Sequence, residues 1–275
     1  MDIYLLALLG SALLHPFWIA LPKKAAHPLT LNFLAICLTS IFFFPFLLNG
    51  ELWNRVLAHA FLFSLLTFFQ VSYTISVLTF TKNHSFQVAY PLTRLAPLCI
   101  LFVEMYVLQG GFSLSQIIGI SFVSVGAVLF GYDSEVRNMR TSFFLLLLWI
   151  MLTMTGSMIC TKMLTPVFSP AEFWALAALQ LPFYLPFVLK RKRELKKDFG
   201  NIPLLIGAAF AMVGTWGLAL YALHEYSAAT VSAVRSLSLV FGVFLGARMF
   251  DEGHKWQRYF AAALIVLGAV MSVAK

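Results

Sequence analysis

The chain has 275 residues, 61% of them hydrophobic and 11% charged, whereas a soluble domain carries about 25% charge. Its formal net charge is +8, yet six of the 19 basic residues crowd between Lys190 and Lys197, in a short segment flanked by apolar runs. This composition excludes a soluble fold. Crowding six of them into one short loop between apolar runs argues against a nucleic-acid surface and points to anionic lipid headgroups instead.

A membrane-crossing helix needs about 20 mostly apolar residues. Runs of that kind, separated by polar or turn-forming breaks, predict an all-α integral membrane protein with ten spans at 3–22, 29–48, 56–80, 86–108, 114–132, 142–163, 171–189, 202–221, 227–249 and 256–274. The first run lacks a basic stretch before it and its lysines, Lys23 and Lys24, follow it, so it reads as a retained span and not as a leader. Within it His15 and Trp18 are one turn apart and share a face. The third span carries Gln70 and Tyr73, the sixth Trp149 and the eighth Trp216. Together with Trp18 and Tyr90 they could line a cavity with aromatic faces and an amide, or anchor helices at the interface and fill the core.

The fourth span holds the densest chemistry. Arg94 falls about eight residues in, roughly 12 Å deep at 1.5 Å per residue, between Pro91 and Pro97, which free backbone carbonyls and loosen the helix. Arg235 stands at similar depth in the ninth span. An arginine at a helix centre costs about 2.5–3.5 kcal/mol and usually faces a bundle interior or a wet cavity. Either arginine could hold a carboxylate or phosphate there, or pair with helix-end carbonyls. Glu104 is the sole acid well inside an apolar run; it reads as a proton-coupling group, as a partner that neutralises an arginine, or as a residue near the end of its span facing headgroups. Gly242 and Gly246 form a Gly-x-x-x-Gly pair suited to close helix packing within the chain or between two copies. Cys37, Cys99 and Cys160 read as buried thiols, and the scattered histidines have no metal spacing. No cofactor is expected. No catalytic motif of a phosphate-binding loop, a zinc protease or a serine hydrolase occurs in the sequence.

A shift of 142 residues aligns Tyr73–Tyr132 with Thr215–Ala274 without a gap, placing Gly126-Ala127-Val128 on Gly268-Ala269-Val270 and loops on loops. The chain therefore divides into two five-span repeats, 1–135 and 136–275. An odd span number makes the repeats enter the membrane from opposite sides, the plan of many secondary transporters. In the gapless alignment Arg94 meets Ser236 and Arg235 meets Thr93, one residue or about 100° out of register on a continuous helix. Loops after odd-numbered spans hold most of the lysines and arginines, which places those loops in the cytoplasm and both termini outside.

The pattern from His15 through Pro16-Phe17-Trp18 to Lys23-Lys24, the fourth-span run Tyr90-Pro91-Leu92-Thr93-Arg94-Leu95-Ala96-Pro97, and Glu252 followed by Gly268 resemble the drug/metabolite transporter superfamily, in its ten-span EamA-type branch. Ile19 replaces the asparagine usual after the tryptophan, and Gly110 stands where the first repeat's glutamate is expected. The resemblance implies transport of a small polar or amphipathic organic solute, such as an amino acid, amine or related metabolite, across a bacterial inner membrane by a monomer or homodimer. The residues themselves give the candidate substrate-binding set Arg94, Arg235, Tyr90, Trp18, Gln70, Tyr73, Trp216 and His15, with Glu104 as coupling candidate. The competing readings are a membrane-embedded enzyme acting on lipid-linked substrates and a non-transporting assembly subunit.

Overall fold

The computed structural model describes residues 2–84, 90–131, 141–242 and 256–274. Among these the regular structure is all helical: α1 Ile3–Lys24, α2 Pro28–Leu47, α3 Gly50–Ala58, α4 Ala60–Asn83, α5 Ala96–Tyr106, α6 Leu114–Gly131 and α7 Thr141–Leu164. The second half continues with α8 Pro170–Leu176, α9 Leu181–Leu189, α10 Lys192–Gly200, α11 Ile202–Ala222, α12 Ala228–Arg235 and α13 Trp256–Val273. Seven helical stretches are long and apolar enough to cross a bilayer, and 228–242 and 258–273 are shorter apolar helices. Phenylalanines such as Phe42, Phe61 and Phe210 point outward at 78%, 80% and 68% exposure, a surface suited to lipid and not to water.

The helices depart from the predicted spans where local chemistry interrupts an apolar run. The third span begins at Ala60 and not at 56, because Asn49 caps a separate helix α3 by accepting from the Glu51 N–H at 3.0 Å. Leu52 and Val56, one turn apart, bury one face of α3 while Glu51 and Asn54 stay exposed. In the seventh span a 3₁₀ turn at Ala177–Gln180 separates α8 from α9. Pro182 has no N–H for the Ala178 carbonyl, and its ring crowds that oxygen. The same effect breaks the fourth span: residues 90–92 are helical, 93–95 are not, and α5 restarts at Ala96, since Pro97 cannot bond the Thr93 carbonyl.

The 142-residue shift reaches well beyond the segment aligned in sequence. It carries α2 (28–47) onto 170–189, α3 (50–58) onto α10 (192–200) and α6 (114–131) onto α13 (256–273) with no offset at either end. Packing obeys the same exchange. α6 runs against α13 and α2 against α8, pairs that map onto themselves, while α1 on α11 corresponds to α7 on α4. The α6–α13 seam closes on glycine: a Cβ built on Gly268 would stand 2.4 Å from the Gly119 carbonyl oxygen, and one on Gly119 2.6 Å from that of Gly268. Gly126 meets Ala261 and Ile265 instead, so the aligned triplets do not pack on each other. Gly246 lies outside the described residues. Of the cysteines only Cys160 is buried; Cys37 and Cys99 are half-buried because they sit on partly outward faces.

Candidate solute site

Two broken helices meet at the centre of the molecule. In the first repeat the chain leaves the helix at Thr93 and turns through Arg94, whose N–H donates to the Pro91 carbonyl at 2.8 Å. In the second, α12 ends at Arg235 and the chain tightens through three-residue bonds: Ser236 N–H to Ala233, Leu237 N–H to Val234 and Leu239 N–H to Ser236. No proline is involved there; the Ser236 hydroxyl competes by donating to the Ser232 carbonyl at 3.1 Å. Under the repeat shift the two breaks coincide. The Tyr90 hydroxyl ties them, donating to Ser238 Oγ at 2.6 Å.

Seven of the sequence-derived candidates gather around these breaks. Arg94 is 2% exposed and its guanidinium lies 5.6 Å from the Tyr90 ring centroid; Arg235 is fully buried, 4.4 Å over the Trp216 ring. Arg235 Nη2 lies 3.1 Å from His15 Nδ1, and the same His15 nitrogen lies 3.2 Å from Thr215 Oγ1. His15 stacks on Trp18 at 5.5 Å and lies 6.0 Å from Tyr90, and Trp18 stacks on Tyr73 at 6.2 Å and meets Trp216 edge-on at 6.4 Å. The two arginines thus reach one aromatic cluster from opposite helices. The 100° register argument fails because residues 93–95 are not helical.

Beside the cluster opens a cleft bordered by Trp18, Asn32, Gln70, Trp174, Tyr184 and Trp216 among others, with about 640 Å³ of empty space when the open solvent at its mouth is counted. Neither arginine lines it. Trp18 and Trp216 belong to both the cavity wall and the arginine cluster. Gln70 Oε1 accepts from the Ser157 hydroxyl, so the amide is held by the second repeat. Asn32, Trp174 and Tyr184 were not singled out in the sequence, where nothing separates a cavity-facing tryptophan from a lipid-facing one.

Two expectations come out differently. Trp149 is 41% exposed and packs edge-on against Phe68 on the outer surface, so it lines no cavity. Glu104 does not approach an arginine: its two oxygens accept from the Ala228 and Ala229 N–H groups at 2.8 Å, at the α12 N-terminus, where a carboxylate meets the helix dipole. Glu252 lies outside the described residues.

Each end of the bundle is tied by a surface helix to the opposite repeat. At the lysine-rich end, Asp198 of α10 is 2% exposed and accepts from Ala26 N–H at 2.7 Å, His27 N–H at 3.2 Å and the Thr30 hydroxyl, around the start of α2. His27 Nδ1 in turn accepts from Leu29 N–H. Burial, with Lys82 and Arg191 nearby, lowers the His27 pKa to about 4. At the other end Arg55 of α3 pairs with Glu172 and donates to the Val167 carbonyl at 2.6 Å, around the start of α8. Shifted by 142, His27-Pro28 falls on Ser169-Pro170, both a capping residue followed by a first-turn proline.

The EamA-like transporter family matches residues 2–132 and again 141–274, one unit for each half of the chain. No curated protein matches. A solved crystal structure superposes with a TM-score of 0.67 over 97% of both chains at 14% sequence identity, a likeness that speaks for the fold alone. Two family units covering nearly every residue, on a lipid-suited helical body, settle the kinship: the chain is an integral membrane protein of the EamA-like transporter family.

Proposed function

We propose that the protein is a secondary carrier that moves a small polar or amphipathic metabolite by alternating access, through ten spans arranged as inverted repeats 1–135 and 136–275. One observation carries the reading: helices from both halves are interrupted at equivalent positions, beside a shared polar cluster and an adjoining cavity. Interrupted helices at a repeat interface are a recurring way to build a transporter site, because freed backbone and side-chain donors face a solute there. The Asp198 and Arg55 ties support the motion. Each joins the two repeats at one end only, so one can part while the other holds. In this reading the lysine-rich end is cytoplasmic, both termini are outside, the membrane is a bacterial inner membrane, and the working unit is a monomer or homodimer.

The test is flux. Purified full-length protein in liposomes loaded with a mixed metabolite pool should release a defined subset faster than protein-free liposomes, with stimulation by the same solute outside. Release of the whole pool at the protein-free rate would refute the carrier reading.

A further inference from the structure

Among the described residues Arg94 Nε, Nη1 and Nη2 have no hydrogen-bond partner, and neither have Arg235 Nε and Nη1. Trp18 Nε1, Trp174 Nε1 and Asn32 Nδ2 are unpartnered donors of the same neighbourhood among the described residues. Buried polar groups in folded proteins are overwhelmingly paired, so a cluster of unpaired donors in one place marks where a partner binds. All of these groups donate. No carboxylate contacts either guanidinium among the described residues, and no described residue of the cavity wall is charged. Glu104 is committed to the α12 N-terminus.

Two buried positive charges without a counter-ion among the described residues decide among the solute classes that the family leaves open. An amine would be drawn to aromatic faces, but the Trp216 and Tyr90 rings already carry guanidiniums, at 4.4 and 5.6 Å. It would also meet like charge with no carboxylate to relieve it. A zwitterion would satisfy the arginines with its carboxylate and leave its ammonium uncompensated. An oxyanion satisfies the donors and the charge together, since a planar guanidinium matches two oxygens of a carboxylate or phosphate.

Resting on the carrier reading above, we propose that the site takes a small organic anion without a compensating ammonium. Its carboxylate or phosphate is held by Arg94 and Arg235, and its uncharged body lies in the cavity walled by Trp18 and Trp216. Turning of these two indoles admits the headgroup.

The experiment is a melting-temperature panel on the purified full-length protein with benzoate, phenyl phosphate, succinate, inorganic phosphate, phenethylamine and phenylalanine as probes, repeated with Arg94→Gln. At least one organic anion should raise the melting temperature of the wild type, while phenethylamine does not. A response to benzoate or succinate assigns a carboxylate, and one to phenyl phosphate a phosphate ester. Arg94→Gln should abolish the rise while leaving the ligand-free melting temperature unchanged or higher, because it removes an unpaired buried charge; an arginine with a purely structural role would give a lower one. A rise with phenethylamine and none with the anions overturns the proposal, as does an anion response that Arg94→Gln leaves intact. Flux of an amine in the liposome experiment would likewise sink the anion assignment while leaving the carrier standing.

Discussion

Replacing Asp198 by alanine removes one buried side chain and frees three donors, of which the two backbone N–H groups lose their acceptor. The carboxylate accepts from two backbone N–H groups and a hydroxyl at the start of α2, which is otherwise closed there by His27. Losing a helix-capping acceptor costs about 0.5–2 kcal/mol, and each buried donor left unpaired about 1–3. The Thr30 hydroxyl retains the His27 carbonyl at 2.7 Å, and removing a buried charge returns part of the cost, so the net loss is about 2–4 kcal/mol. At roughly 2–4 °C per kcal/mol for chains of this size, the melting temperature should fall by about 4–16 °C. Asp198→Asn keeps one accepting oxygen and should lose about half as much. Lys196→Ala, exposed on the same helix, serves as control. Melting of the purified protein followed by intrinsic fluorescence measures all three. An Asp198→Ala protein that melts with Lys196→Ala and wild type would show that the tie carries no stability.

The opposite tie is half-open to solvent, with the Arg55 side chain 37% exposed, so a double-mutant cycle of Arg55→Ala and Glu172→Gln should give a coupling near 1 kcal/mol that shrinks at high salt; zero coupling would contradict the pairing. Gly268→Ala places a methyl 2.4 Å from the Gly119 carbonyl oxygen, and parting α6 from α13 should cost about 1–3 kcal/mol, read as a lower melting temperature. The His27 pKa is about 4 in the folded protein and 6.5 when free, so the unfolded chain binds the extra proton first as acid is added. The stability from neutral His27 is therefore complete above pH 6.5 and is lost as pH falls from 6.5 towards 4, by about 3 kcal/mol in all. His27→Gln should flatten the melting-temperature profile across that window; an unchanged profile would assign the acid sensitivity to other groups.

The helical spans were legible in the sequence because lipid imposes length: some 20 apolar residues between breaks leave little choice. Which face of each span turns inward was not. In a bilayer the exterior is as apolar as the core, so hydrophobic periodicity does not distinguish Trp149, which faces out, from Trp18 and Trp216, which face in. The break at Thr93–Leu95 was signalled by Pro91 and Pro97, whereas its counterpart at Ser236–Leu237 arises from serine and carries no such mark. Rare ionised residues drew attention to the fourth and ninth spans, and Arg94 and Arg235 are both buried beside the helix breaks there. The same reasoning led to Glu104, whose partner is a helix end from the other repeat and has no local signature. Asp198 was hidden for the opposite reason: one acid in a basic loop looks solvated until the fold brings the start of α2 to it.

Solute exchange across liposomes, comparing wild type, Arg94→Gln and Trp149→Ala, probes the buried cluster against a lipid-facing control of similar bulk. Wild type and Trp149→Ala should exchange the solute identified by release at similar, saturable rates, while Arg94→Gln inserts normally and exchanges none. Wild-type exchange by Arg94→Gln would place the solute path elsewhere in the molecule.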